Sequence, residues 1–431
     1  LPESGELLSR HRPNIVLILA DDLGYHDLGC YGQRSILTPN IDRMAAEGIR
    51  FTQCYAGAPV CAPSRSVLMT GEHAGHTRVR DNFAKAGSVL VLDDGPPQRR
   101  GFLKPEDVTV AEVLRGGGYV TGATGKWGLG EAGTPGVPNL KGFDEWFGYL
   151  NQRRAHNYYP AELWLNQEKR IIEGNQGGQR GRYSHDLFTD FALDFIKRHR
   201  EHPFFLYVAY TLPHGRYEIP SLEDYANKPW PEEAKVYAAM VSRLDRDVGR
   251  ILGLLGEEGI DDRTIVFLCS DNGAARRWEG IFDSCGELSG GKGELYEGGI
   301  RTPMIVRWPG HIPEGKVSDV AWYFADFLPT AAELGGVSPP AGIDGVSVVP
   351  LLFGERQTWG ERAFYWERHA GGFQQAVRKG RWKAIRHGLA GRLELFDLGR
   401  DPGETRDLAG SHPEIVREIE AYLAKARTGS E

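Results

Sequence analysis

The string Cys61-Ala62-Pro63-Ser64-Arg65, continuing Ser66-Val67-Leu68-Met69-Thr70-Gly71, places a thiol and a guanidinium within one short segment. At average residue usage a Cys-x-Pro-Ser-Arg string arises by chance in roughly one in a thousand chains of this length. A single cysteine at a helix start is ordinarily a small buried hydrophobe. A thiolate nucleophile activated at a helix N-terminus is a second reading. Neither accounts for the whole string. Two further segments, Asp21-Asp22 and Asp271-Asn272, each end an apolar run and offer only oxygen ligands. Such a set suits hard cations, Ca²⁺ or Mg²⁺, rather than zinc. Asp-Asp alone reads as N-caps or solvated loop carboxylates; the second segment, Ser270-Asp271-Asn272-Gly273, tips the reading toward a metal site. Lys126 and Lys292 lie inside glycine-rich motifs, where backbone must approach something closely.

Taken in order, the motifs resemble those of the formylglycine-dependent sulfatases, arylsulfatase type, of the alkaline phosphatase-like superfamily. They are NIVLILADDLGY (14–25), TPNIDRMAAEGIRF (38–51), the Cys61 string, TGKWGLG (124–130), Pro213-His214, SDNG (270–273), GGKGELYEGGIRTPMIVRWPG (290–310) and LFDLGRDPGETRDLA (395–409). The resemblance implies that a separate maturation enzyme oxidises Cys61 to formylglycine, whose hydrated aldehyde is the nucleophile. It implies Asp21, Asp22, Asp271 and Asn272 as metal ligands, with an oxygen of residue 61 and a sulfate oxygen completing the shell. Ca²⁺ is expected ahead of Mg²⁺. The cation would withdraw charge from the ester and lower the pKa of the attacking hydroxyl. By the same resemblance Arg65 and Lys126 hold and polarise the hydrated aldehyde, and Lys292 binds a sulfate oxygen near the leaving group. Fixed cations of this kind act as clamps on a transferring group. His214 matches the histidine that hydrogen-bonds the ester oxygen, and with Lys292 it is assigned to leaving-group protonation. One position departs from the family pattern. Lys-Trp-His-Leu-Gly is usual, and here Gly128 stands where the histidine contacts the formylglycine and serves the second half of the reaction. His156 is the nearby candidate for that role.

For substrate contacts the expected residues are His76, Arg78, His156 and His369, drawn from segments crowded with polar and aromatic side chains. Such groups suit sugar rings. The expected substrate is a sulfated carbohydrate or aryl sulfate, with galactose or N-acetylgalactosamine sulfate, O4 foremost, as the specific expectation. Two alternatives remain: a phosphonate or phosphate ester hydrolase of the same superfamily, and a catalytically silent protein that binds sulfated glycans.

The elements that must position these groups follow from apolar patterning. Asn14–Ala20 is a continuous apolar run, as are Phe204–Tyr210 and Ile265–Ser270, and each reads as a strand buried on both faces. Helix signals lie between them: Thr38 and Pro39 opening one helix, the capping box Thr109–Glu112 opening another, and a long stripe over Val236–Leu255. The alternation predicts an α/β fold with a mostly parallel sheet sandwiched by helices. In such sheets ligands collect beyond the carboxyl ends of the strands, where the acidic segments fall. Residues 1–335 are read as the catalytic domain and 336–360 as a linker-like stretch. Residues 361–431 are read as a small α+β domain with a short antiparallel sheet and a terminal helix.

The 431 residues carry 51 Lys+Arg against 58 Asp+Glu, a net charge of −7, which supplies no general pull toward nucleic acid or an anionic membrane. With 41% hydrophobic residues the chain can build a large core, and no apolar run approaches the roughly 20 residues of a membrane span. Five cysteines are too few for a disulfide scaffold. A periplasmic or secreted location is expected for a glycan sulfatase, although no export signal is visible.

Overall fold

Seven consecutive buried residues form strand β1 (Asn14–Ala20) at the centre of the main sheet. The computed structural model describes residues 12–84, 88–91, 97–356 and 360–428. After β1 come β2 (Ile49–Tyr55), the hairpin β3–β4 (Ser88–Val91 and Gln98–Gly101), β5 (Val120–Lys126), β6 (Glu145–Tyr149), β7 (Glu162–Leu165) and β8 (Glu168–Ile171). Then follow β9 (Phe204–Ala209), β10 (Thr264–Ser270), β11 (Arg301–Arg307), β12 (Lys316–Ser318) and β13 (Trp322–Tyr323). The order across the main sheet is β12-β2-β11-β10-β1-β9-β5-β6-β7-β8, with β13 also on β2. The central strands β10, β1, β9, β5 and β6 are mutually parallel. Antiparallel pairing appears at β10–β11–β2 and at β6–β7–β8.

Helices cover both faces because β1 alternates its apolar side chains. Ile15, Leu17 and Leu19 pack with helices α2 (Cys61–Thr70), α3 (Val110–Gly116) and α7 (Phe327–Leu334). Val16 and Ile18 pack on the other side with α1 (Pro39–Ala46), α4 (Ser184–His199) and α5 (Glu232–Glu257). Two short helices, α6 (Glu297–Ile300) and α8 (Val349–Leu352), complete the large domain. The capping box at α3 forms, with Thr109 accepting from the Glu112 N–H. At α1 the expected N-cap is in place but its hydroxyl does not cap. Thr38 Oγ1 accepts from Gly29 N and donates to Asp42 instead.

Strand β5 has little intrinsic strand character, with two glycines and two threonines in seven residues. Close packing explains the glycines. A Cβ at Gly122 would stand 2.4 Å from the Phe195 ring, and one at Gly125 would stand 1.9 Å from the Ala209 carbonyl oxygen. The register Ala20↔Ser270 between β1 and β10 then sets the site. It forces Asp21 beside Asp271 and Asp22 beside Asn272 at the carboxyl ends of neighbouring strands.

The C-terminal part is a separate antiparallel sheet, β14 (Ala363–Arg368), β15 (Gln374–Lys379), β16 (Trp382–His387) and β17 (Leu393–Asp397). Helix α9 (Pro413–Leu423) covers one face through Ile419 and Leu423. The other face joins the core of the large domain through Phe364, Trp366, Ile385 and Phe396. Trp366 also donates its indole N–H to the Ala56 carbonyl, 2.8 Å away in the loop that leads to Cys61. In the stretch that follows residue 336, Val348 and Val349 are buried, and the Asp344 and Gly345 N–H groups both donate to the Gly71 carbonyl.

Between the two sheets lies a buried ionic cluster. Lys383 Nζ sits 2.9 Å from Glu297 and 2.8 Å from Glu404, and Glu297 also accepts the Tyr55 hydroxyl at 2.7 Å. All three charged side chains are shielded from water. Lys383→Ala leaves two carboxylates buried without their shared cation. It is expected to cost about 3–5 kcal/mol, read as a fall in the urea midpoint. An unchanged midpoint would show that the seam does not depend on this lysine.

Candidate active site

The nucleophile candidate stands at the first position of α2, and all ten residues of that helix are buried. The spacing Cys61 to Arg65 is one helical turn, so both side chains project from the same face. Ser64 Oγ accepts from the Gly57 N–H at 3.1 Å and so ties the incoming loop to the helix. Gly71, at φ 71°, ends the helix in the left-handed conformation that glycine takes without cost.

Four chain segments meet at Cys61. Asp21 and Asp22 follow β1, Asp271 and Asn272 follow β10, and Lys126 closes β5. Lys292 comes from a loop pinned on both sides: its own N–H donates to the Ala274 carbonyl and the Gly293 N–H to the Pro59 carbonyl. Asp22 has φ 65°, a backbone state rare outside glycine, which marks a residue whose position is dictated by its surroundings.

The charges are paired closely. Lys126 Nζ lies 2.7 Å from Asp21 Oδ2. Arg65 donates twice to Asp271 Oδ2, at 2.8 and 3.1 Å, and once to the Lys126 carbonyl at 2.7 Å. Lys292 Nζ lies 2.6 Å from Asp22 Oδ2 and 3.1 Å from His214 Nε2. Cys61 Sγ is 3.5 Å from Asp21 Oδ1. Burial would raise the Asp21 carboxyl, but Lys126 foremost, then His214, Arg65 and Lys292, hold it well below the usual carboxylate range. Asp22 is likewise held down against burial, chiefly by Lys292. Asp271 is pushed up to about 6, by burial first and the adjacent Asp21 charge second. Burial and then Asp271 raise the Cys61 thiol far above its usual range, which disfavours the thiolate-nucleophile reading.

The donor chemistry fits a hard divalent cation. Ligand atoms of Asp21, Asp22, Cys61 and His214 all lie within 4.8 Å of one another. Asn272 donates its Nδ2 to Asp22 and to the Gly273 carbonyl, leaving a buried Oδ1 without a partner among the described residues. A buried carbonyl oxygen without a donor is what an oxygen-seeking cation satisfies. Asp271 stands apart from the tight group, with Oδ2 on Arg65 and Oδ1 accepting from the Asp22 N–H.

A cavity of about 210 Å³ opens over this cluster, and Cys61, Lys126, His214 and Lys292 line its floor. His156 lines it too, its ring stacked on that of His214 at 3.8 Å; burial first, then His214, lowers its pKa to about 2. The other expected substrate residues are placed elsewhere. His76 is bound to Asp344 at 2.9 Å, Arg78 pairs with Asp107 and Glu106, and His369 pairs with Glu367 at 3.1 Å. None of the three is among the described side chains that line this cavity. The remaining wall is Asn82, Phe83, Gln98, Arg100, Gln152 and Arg153. Gln98 and Arg100 were not legible in the sequence. They lie on β4, a short polar strand without alternation, and nothing marks it as half of a hairpin beside the pocket.

The sulfatase family model matches residues 13–337, and the model for the C-terminal part of N-sulphoglucosamine sulphohydrolase matches residues 291–429. The chain is 36% identical to N-acetylgalactosamine-6-sulfatase of Sus scrofa over 412 residues, covering 91% of this chain and 75% of that protein. It is 33% identical to arylsulfatase A of Homo sapiens over 469 residues, covering 96% of this chain and 88% of that protein. Among solved structures, Ps i-CgsB in complex with k-i-k-neocarrahexaose superposes with a TM-score of 0.82 at 30% identity, covering 96% of this chain and 93% of that one.

In protein made without a maturation enzyme, the buried and protonated Cys61 thiol is expected to react with iodoacetamide at neutral pH about 100-fold or more slowly than in the urea-unfolded chain. Peptide mapping over time checks this. Labelling at the unfolded rate would contradict a shielded thiol.

Proposed function

Since this chain belongs to the sulfatase family of sulfuric ester hydrolases, we propose that it hydrolyses sulfate monoesters of a sulfated carbohydrate, using a formylglycine made from Cys61 and a bound Ca²⁺. The observation that carries this reading is the buried cluster in which Asp21, Asp22 and Asp271 are matched by Lys126, Lys292 and Arg65 around residue 61. A carbohydrate substrate is supported by the name of the porcine relative and by the neocarrahexaose bound to Ps i-CgsB. Galactose or N-acetylgalactosamine sulfate remains the specific reading. A formylglycine-generating enzyme is the implied partner.

When bound, the cation at Asp21, Asp22, Asp271 and Asn272 supplies Lewis acidity toward the ester and toward the attacking hydroxyl. The hydrated aldehyde supplies a hydroxyl nucleophile where the thiol is too basic to serve. The chain's own residues do the rest. Lys126 and Arg65 keep Asp21 and Asp271 in fixed orientations without solvent. His214 Nδ1 lies 3.0 Å from the Gly215 carbonyl. Donation there leaves the Nε2 lone pair facing the Lys292 ammonium. Burial first lowers the His214 pKa, outweighing Asp22 and Asp21, so the proton of this pair rests on Lys292. The pair thus holds a proton at Nζ for the oxygen that leaves, and the stacked His156 ring keeps the imidazole plane in place.

The test is to co-express the chain with a formylglycine-generating enzyme, add Ca²⁺, and measure sulfate and phosphate release from paired 4-nitrophenyl esters and from N-acetylgalactosamine 4- and 6-sulfates. Sulfate release that falls to background in Cys61→Ala, and is lost on chelation, is the expected outcome. Dominant phosphate release, or none from any ester with formylglycine verified at residue 61, overturns the reading. Leaving-group protonation predicts more. His214→Gln should lower kcat by about 10²–10⁴ on sugar sulfates and distinctly less on 4-nitrophenyl sulfate, whose phenolate leaves without a proton. Equal losses on both would remove the histidine from that role.

A further inference from the structure

The carboxamide of Gln152 is oriented by a chain of contacts that starts at the nucleophile helix. The Ala62 N–H can only donate, and it donates to Asn82 Oδ1 at 2.9 Å. That same oxygen lies 3.1 Å from the amide end of Gln152, which must therefore present its Nε2 there. The opposite end, Oε1, is left buried with no partner among the described residues, in a residue that is only 5% exposed and lines the cavity with Cys61, His156 and His214. Buried carbonyl oxygens ordinarily have a donor.

Gly128 explains how the carboxamide comes to be there. A Cβ at residue 128 would stand 2.8 Å from Gln152 Cδ and 2.9 Å from its Oε1, and the backbone has φ +79°. The space beside residue 128 is filled by Gln152. A carboxamide does not take up a proton at neutral pH, so it cannot act as a general base; its oxygen can accept a hydrogen bond.

We propose that Gln152 Oε1 accepts a hydrogen bond from a hydroxyl or N–H on the alcohol part of the substrate, which makes Gln152 a specificity-determining residue that selects donor-bearing esters over plain alkyl sulfates. The inference rests on the sulfatase reading for its chemistry, and it adds the group that enforces a sugar. A site built around an acceptor discriminates strongly against an analogue that leaves the acceptor unpaired.

The experiment compares N-acetylgalactosamine 4-sulfate with cyclohexyl sulfate, and N-acetylgalactosamine 6-sulfate with cyclohexylmethyl sulfate. Each pair shares a secondary or primary alkyl ester, but the cyclohexyl compounds lack donors. In matured enzyme, Gln152→Met keeps the length of the side chain and removes the acceptor. It is expected to lower the sugar-to-cyclohexyl ratio of kcat/KM by about 10- to 100-fold. Gly128→Ala, which pushes the carboxamide aside, should lower the ratio in the same direction. Melting temperatures report whether each variant is folded. A ratio unchanged in Gln152→Met, or an equal fall on both members of a pair, overturns the proposal, since Gln152 would then serve the fold or residue 61. Calorimetry in a Cys61→Ala background gives a reading that needs no turnover: the preference for binding the sugar sulfate should fall with Gln152→Met, and no such preference overturns the proposal. Absence of sulfate release from all four esters by matured wild-type enzyme would sink the sulfatase reading itself, while the calorimetry still decides the role of Gln152.

Discussion

Two fully buried carboxylates, Asp21 and Asp271, follow the ends of neighbouring parallel strands, and the rest of the site exists to make that arrangement tenable. Their adjacency is fixed by the β1–β10 register. Burying like charges together is costly, and each must find a counter-charge whose own hydrogen bonds are satisfied. Lys126 answers Asp21 from the end of β5 and Arg65 answers Asp271 from α2. Arg65 then spends a further donor on the Lys126 carbonyl, so strand and helix are locked to each other through the same guanidinium. The three carboxylates and their three cationic partners form a neutral framework before any divalent ion is added.

The small domain contributes to this framework from a distance. Its Trp366 holds the Ala56 carbonyl in the loop before Cys61, and its Lys383 is shared by Glu297 and Glu404 across the seam. The loop carrying Lys292 leads directly into α6, which holds Glu297. The position of Lys292 is thus coupled through a few residues to the docking of the C-terminal sheet. The family model for the C-terminal region begins at residue 291, before the small sheet starts, in keeping with that continuity.

Much of this was legible in the sequence because buried charge demands particular residue types in particular order. Continuous apolar runs ending in Asp-Asp and Ser-Asp-Asn identified β1 and β10 and the acidic pair they present. Strand β5 was less accessible: Gly122 and Gly125 are there because Phe195 and the Ala209 carbonyl leave no room for a side chain, a tertiary constraint that weakens the local strand signal. The pocket wall was the hardest part. His76, Arg78 and His369 are polar residues in crowded polar segments, but each is paired with a carboxylate and none lines the cavity among the described residues. Gln98 and Arg100 reach the cavity from a hairpin that carries no periodic pattern. Their place in the wall depends on the pairing of β4 with β3, which local composition does not encode.

Gly128 shows the same distinction at a single position. Read along the chain, a glycine in place of an imidazole looks like a missing functional group. In space, the volume is occupied by the Gln152 carboxamide, brought in from the loop after β6 and anchored to the nucleophile helix through Asn82 and the Ala62 N–H. The substitution therefore exchanges an ionisable ring for a neutral acceptor rather than emptying the site. An imidazole can move a proton and a carboxamide cannot, so proton handling on this side of the cavity must fall to other groups. His156 is held by burial against accepting a proton, which leaves Lys292 and His214 as the pair whose geometry and charge suit that work. The groups able to move a proton are thereby concentrated at Lys292 and His214, while the Gln152 side carries a neutral acceptor.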